Sequence, residues 1–202
     1  IVEATPAMLQ ELRQALVDFK KSGKFIYSYA DAYNQGGYYV CSVADSLLLK
    51  PSGTVDWHGM ASVPIFFKDV MEKVGVKMQV FKVGTYKSAV EPYTSTAMSD
   101  ANREQVTSYI TSIWENMLKD VSASRKVKTE DLNAYADSFA MFQPRTNLLK
   151  WKMVDKTVYI DEVQTLLKNK LERGEDDDIK FVTPNDVATA ENPDIKDSDN
   201  SI

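Results

Sequence analysis

An α/β fold is predicted by three features of the sequence. Short apolar runs bounded by Gly and Pro alternate with segments of helical period, and that alternation is the signature of strand and helix layers. Apolar residues make up 44% of 202 residues, enough for one sizeable core without metals or disulfides. One segment, after Ser99, repeats apolar residues at i, i+3, i+4 and i+7 over about four turns.

The elements follow in order. Thr5 can cap and Pro6 suits the first turn of a helix that places Met8, Leu9, Leu12, Leu16 and Phe19 on one face, and Gly23 ends it. Phe25 to Tyr29 reads as a buried strand. A turn at Asn34-Gln35-Gly36-Gly37 leads to a short helix from about Tyr38 to Ala44, and Leu47 to Leu49 reads as the next strand, closed by a turn at Pro51-Ser52-Gly53. Pro64 starts a helix carrying Phe67, Val70, Met71 and Val74, which Gly75 stops. Val76 to Val83 has strand character, and Gly84 to Met98 reads mainly as loop. From the cap Ser99 the long helix presents Val106, Tyr109, Ile110, Ile113, Trp114, Met117, Leu118 and Val121. Further helices are expected from Thr129, over Asn147 to Trp151, and over Ile160 to Leu171. Ile179 to Val182 can form one more strand, and a mobile connector is expected after Pro184. The expected division is a body over 1–171 and an acidic segment over 172–202.

Charge narrows the function classes. The net charge is −5, yet residues 172–202 hold ten acids against three bases, so the body is nearly neutral. It offers no basic footprint for nucleic acid. No apolar run reaches the roughly 18 residues that cross a bilayer. The single Cys41 forbids an internal disulfide and reads as a small core residue. His58 is the only histidine, which excludes a Ser-His-Asp triad and a multi-histidine metal site within the chain and suggests loop packing beside Trp57.

Two segments carry chemistry. Tyr33 to Asp45 is a strand-turn-helix stretch with paired glycines; such a turn can present a nucleophile or backbone amides to an oxyanion, or can simply pack a helix on a sheet. In Phe81 to Tyr93 a lysine, Lys87, follows a strand among small and apolar residues. Lysine acts as a base only when uncharged. At a reference pKa near 10.4 about one lysine in 2,500 is neutral at pH 7, so a general-base lysine needs an apolar pocket. By residue pattern alone Lys87 reads as a surface lysine.

These segments resemble, in order, those of protease IV, the signal peptide peptidase A type of serine protease. Gly84-Thr85-Tyr86-Lys87-Ser88-Ala89-Val90-Glu91-Pro92 is nearly that family's lysine signature, Met98-Ser99 and Ala101-Asn102-Arg103-Glu104 follow where its next helix begins, and Gln35-Gly36-Gly37-Tyr38-Tyr39 occupies its glycine turn. Pro51 to Gly59 fits as well, and the resemblance covers roughly residues 5–170.

It implies a crotonase or Clp-protease-like fold with stacked strand-strand-helix units, and the amino-terminal half of a two-half enzyme that lacks its first strand and helix ahead of Thr5. The implied chemistry is a Ser/Lys dyad with Lys87 as general base and no cofactor. In the serine-bearing half the turn reads Ser-Gly-Gly-Tyr, so Gln35 stands at a degenerate nucleophile position and the isolated chain is expected to be inactive. Implied partners are a second half carrying the serine, extended apolar peptides such as released signal peptides, and further copies in a homo-oligomer. The implied location is the periplasmic side of a bacterial inner membrane, with the anchor outside this chain.

Ser88 can tune the hydrogen bonding of Lys87 or bond to backbone. Glu91 should point away from it, because a nearby carboxylate stabilises the ammonium form. Ser42, on a short helix with no base beside it, is a poor nucleophile, and the tyrosines at 27, 29, 33, 38 and 39 suggest packing rather than base stacking. Two rivals stand beside the protease: a noncatalytic scaffold of the same architecture, and acyl-thioester chemistry on coenzyme A, which the fold class also hosts.

Overall fold

A computed structural model describes residues 4–81 and 83–190. The chain divides into two compact units, 1–159 and 160–202.

In the first unit, β1 (Tyr27–Tyr33) and β2 (Ser46–Val55) pair in parallel through α2 (Gln35–Cys41), and β3 (Lys156–Thr157) adds parallel to the far side of β2. Parallel neighbours require a crossover, and α2 is that crossover. Leu47, Leu48 and Leu49 of the central strand are buried on both faces, as a covered parallel strand must be. The α/β class is therefore present in a small, three-stranded form.

Helix α1 (Pro6–Lys21) begins as expected, with Thr5 capping the amide of Met8 and Pro6 in the first turn. It packs against α2. Arg13 on its buried side reaches α5 (Asp100–Arg125), donating to the carbonyl of Asp120 at 2.8 Å and to the hydroxyl of Ser124, while Tyr39 Oη donates to the Asp120 carboxylate at 2.6 Å. The core gathers around Tyr38 and Trp57, both fully buried. Their polar tips are satisfied by backbone: Tyr38 Oη donates to the carbonyl of Met153 and Trp57 Nε1 to that of Leu132.

Helix α5 is 26 residues long, or about 39 Å. Ser99 caps it as expected. Its apolar face is buried at Met117, Leu118 and Val121, whereas Tyr109 is exposed and Val106 and Ile110 are only half-buried. The second half of the helix is core and the first half projects from it. The remaining elements are α6 (Thr129–Asp137), a 3₁₀ turn at Ala140–Phe142 and α7 (Arg145–Lys150).

Four local expectations are corrected. Helix α2 starts at Gln35, not near Tyr38, because Asn34 caps it by accepting from the amide of Gly37. Gly36 and Gly37 therefore lie in its first turn with ordinary helical φ. Pro51-Ser52-Gly53 is not a turn but part of β2, where the register shifts opposite Ala30 and Ala32. The helix expected from Pro64 shrinks to α3 (Lys68–Lys73), though Gly75 terminates it at φ +76°. Val76 to Val83 has no strand pairing among its described residues, Lys82 lying outside them, and none of the three described strands pairs with it.

The second unit contains α8 (Ile160–Lys170) and α9 (Pro184–Thr189). The first agrees with the helix expected over 160–171. The second falls in the expected connector: the Thr183 hydroxyl and the Asp186 carboxylate form a reciprocal capping box there. Residues 179–182 are unpaired rather than a strand, with Phe181 and Val182 exposed. The connector beyond Ala190 lies outside the described residues.

Candidate active site

The lysine loop is built on the projecting end of α5. After α3 the chain runs to Gly84, whose φ of +102° turns it into Thr85-Tyr86-Lys87, and a short helix, α4 (Glu91–Thr94), follows. Three contacts fix this stretch. Glu91, only 4% exposed, accepts from Ser99 Oγ at 2.6 Å, from the Ser99 amide at 3.2 Å and from Asn102 Nδ2 at 2.9 Å. The Tyr86 hydroxyl donates to Glu104 Oε2 at 3.2 Å. On the other flank the Phe67 amide donates to the carbonyl of Pro92 at 2.6 Å, and the Phe67 and Tyr93 rings stack.

Lys87 itself is exposed, and no carboxylate pairs with it among the described residues. The apolar enclosure expected for a neutral lysine is thus not closed by this chain. Lys87 lines a shallow, open groove with Phe81, Val83, Ala89, Val90 and Gln105, and Phe81 and Val83 are 99% and 90% exposed. Ser88 is half-buried and its carbonyl accepts from the Glu91 amide at 2.9 Å. Its hydroxyl makes no hydrogen bond among the described residues.

The glycine turn lies elsewhere. The Gln35 carboxamide clamps the loop after β2, its Oε1 accepting from the amides of His58 and Gly59 at 3.0 Å each and its Nε2 donating to the carbonyl of Gly59 at 2.9 Å. Gln35 and Gly36 line an apolar groove of about 490 Å³ with Leu9, Tyr39, Met60 and Met117, which shares no lining residue with the groove at Lys87. The two sequence-predicted positions are not brought together.

Ser42 is fully buried and donates to the carbonyl of Tyr39, so it cannot be a nucleophile. His58 is exposed and its Nδ1 pairs with Asp56 Oδ1 at 2.7 Å, whereas the buried Trp57 ring meets Tyr38 and Trp114. Cys41 is half-buried against the core rather than enclosed by it. No group of three or more His, Cys, Asp or Glu side chains suited to a metal ion occurs among the described residues.

Sequence reasoning placed Glu91 pointing away from Lys87, and its carboxylate does lie on α5. It missed the donors, Ser99 and Asn102, as well as the tether from Tyr86 to Glu104. A Glu followed eight residues later by a helix-capping Ser is not a local pattern, and only the fold makes it one.

Comparison with known proteins adds the following. The model of peptidase family S49 matches residues 18–173. Protease 4 of Salmonella typhi is 40% identical over 124 residues, covering 61% of this chain and 20% of that protein. Protease 4 of Haemophilus influenzae is 39% identical over 116 residues, covering 57% and 19%. The chloroplastic serine protease SPPA of Arabidopsis thaliana is 31% identical over 163 residues, covering 81% and 24%. The chain thus spans about a fifth to a quarter of the length of these curated relatives.

Proposed function

The chain belongs to peptidase family S49, and on that premise we propose that it is the base-bearing half of a serine endopeptidase of the protease IV type, with Lys87 as general base and the nucleophilic serine supplied by another part of the full-length protein. The observation that carries the reading is the state of Lys87. It stands at the centre of the signature loop, unpaired with any described carboxylate, beside apolar side chains that this chain leaves uncovered. A second half seated on Phe81 and Val83 would complete the apolar enclosure that a neutral amine needs.

In that arrangement the Lys87 amine takes the proton of the incoming serine hydroxyl as its oxygen attacks the scissile carbonyl. It then returns the proton to the leaving amine as the tetrahedral intermediate collapses. Gln35, whose amide cannot attack a carbonyl and whose polar atoms are engaged with residues 58–59, keeps the glycine turn as a packing device. The finer reading includes a crotonase-like fold, of which the parallel β1-α2-β2 unit is one compatible piece. It also includes released signal peptides as substrates and a body held at the periplasmic face by an anchor outside this chain. No described helix is long and apolar enough to cross a membrane.

Replacing Lys87 by Ala in the full-length protein is expected to lower peptide hydrolysis by at least about 10²-fold, the scale of a lost general base. Hydrolysis at the wild-type rate would sink the reading. It would favour instead a noncatalytic scaffold, for which the clamped Gln35 is the supporting feature.

A further inference from the structure

We propose that Glu91 is the positioning residue for Lys87, fixing the lysine loop to the first turn of α5 through hydrogen bonds made by a buried carboxylate. The inference rests on the reading of Lys87 as a base and adds the means by which its place is set. Residues 83–87 of the loop are exposed, and no strand pairs with the segment before them among the described residues.

Glu91 is buried, with only 4% of its surface exposed, and its short bond to Ser99 Oγ, 2.6 Å, is of the charge-assisted kind. Its other oxygen accepts from the Ser99 amide and from Asn102, at a helix end where negative charge is favoured. Glu91 lies four positions beyond Lys87, a contour of at most about 14 Å. The turn closed by the Glu91 amide on the Ser88 carbonyl shortens that path. The backbone next to the lysine therefore moves with Glu91. On the other side Tyr86, adjacent to Lys87, is tied to Glu104 of the same helix. Lys87 is bracketed by two tethers to the first two turns of α5, and α5 is itself anchored in the core by Met117, Leu118, Val121 and Arg125.

The same bonds dispose of the nearest carboxylate on the lysine's own loop. A carboxylate free to swing to an amine would favour its ammonium form. Held by Ser99 and Asn102, Glu91 serves the site without opposing a base.

The test uses the full-length protein with Glu91→Ala, Glu91→Gln and Ser99→Ala, and Lys87→Ala alongside. A displacement of about 1 Å in a catalytic group can lower turnover by about 10²-fold. Glu91→Ala is therefore expected to lower kcat by about 10- to 100-fold with KM within about twofold, and to speed amide exchange across residues 84–98. Glu91→Gln, which keeps hydrogen-bonding atoms in the same seat, should retain kcat within about threefold, and Ser99→Ala should fall between. Unchanged kcat and exchange in Glu91→Ala overturn the proposal, and so does a Glu91→Gln protein as impaired as Glu91→Ala. If Glu91→Ala does not fold, Ser99→Ala and Glu91→Gln carry the comparison. Activity surviving in Lys87→Ala refutes the base reading instead, while amide exchange in the Glu91 variants still reports whether the tether exists.

Discussion

At residue scale, two positions show how strongly local geometry constrains side chains here. The carboxamide of Gln35 makes three hydrogen bonds to the backbone of residues 58 and 59, joining the start of α2 to the loop leaving β2. Gln35→Ala leaves those groups to water or unpaired, so it should lower stability by about 1–3 kcal/mol, measurable by urea unfolding of this chain. Gln35→Ser supplies a hydroxyl, but Lys87 lines a different groove, so this chain should still leave peptide substrates uncut. Gly53 is constrained by space. A Cβ there would sit 2.5 Å from the carbonyl oxygen of Asp31 and 2.7 Å from Cδ1 of Leu49, where the register shift brings the two strands together. Gly53→Ala must part β1 from β2 or displace Leu49, at a cost of about 2–3 kcal/mol that a thermal melt will register. The sequence suggested a turn glycine, and the structure assigns it to a bulge inside a strand.

At the scale of elements, the legible parts were those with a local period or a local cap. The long helix after Ser99, the capped helix at Thr5 and the β1-α2-β2 order all follow from spacing within a few turns. Val76 to Val83 was misread for a physical reason: its alternating apolar residues suit a strand, but strand formation needs pairing with a neighbouring strand, and none of the three described strands pairs with it. The long-range fastening of α5 was not legible at all. Arg125, at its last turn, donates from Nε to the carbonyl of Lys152 at 3.0 Å and grips Asp155 with both terminal nitrogens, at 3.0 and 2.6 Å. Asp155 in turn accepts from the amide of Leu47, the second residue of β2. One guanidinium thus locks the helix that carries the lysine loop to the sheet. Burial is the largest single influence and works to lower the Arg125 pKa, but the hydrogen bonds to Asp155 together with the coulombic contributions of Tyr38, Asp155 and Tyr33 outweigh it and leave the cation favoured. Arg125→Lys keeps charge without the planar fork and should destabilise the first unit by about 1–2 kcal/mol, whereas Arg125→Ala should cost about 2–4 kcal/mol. Equal unfolding midpoints for the two variants in denaturant would contradict this account.

Across the whole molecule the core is unusual in resting on tyrosines, and that makes stability sensitive to alkali. Burial raises the pKa of Tyr38 and Tyr33 well above the ordinary 10.0, and burial together with the Asp120 carboxylate does the same for Tyr39. Below pH 10 all three are protonated whether the chain is folded or not, so their contribution is complete. Above it the unfolded chain releases these protons while the folded one keeps them. Stability therefore falls as pH rises, by about 1.4 kcal/mol per pH unit for each tyrosine and about 4 kcal/mol per unit for the three together. An ordinary domain stability of about 5–15 kcal/mol would be exhausted within a few units. These three tyrosines should ionise in a cooperative step that coincides with loss of far-ultraviolet circular dichroism. Tyr38→Phe sharpens the test. It removes the bond to the Met153 carbonyl, lowering stability at neutral pH by about 1 kcal/mol, and it removes one of the three protons, so the fall in stability with alkali becomes shallower by a third. Should Tyr33, Tyr38 and Tyr39 instead ionise near pH 10 with the fold intact, the packing described around Trp57 would have to admit water, and the core would not be the one described.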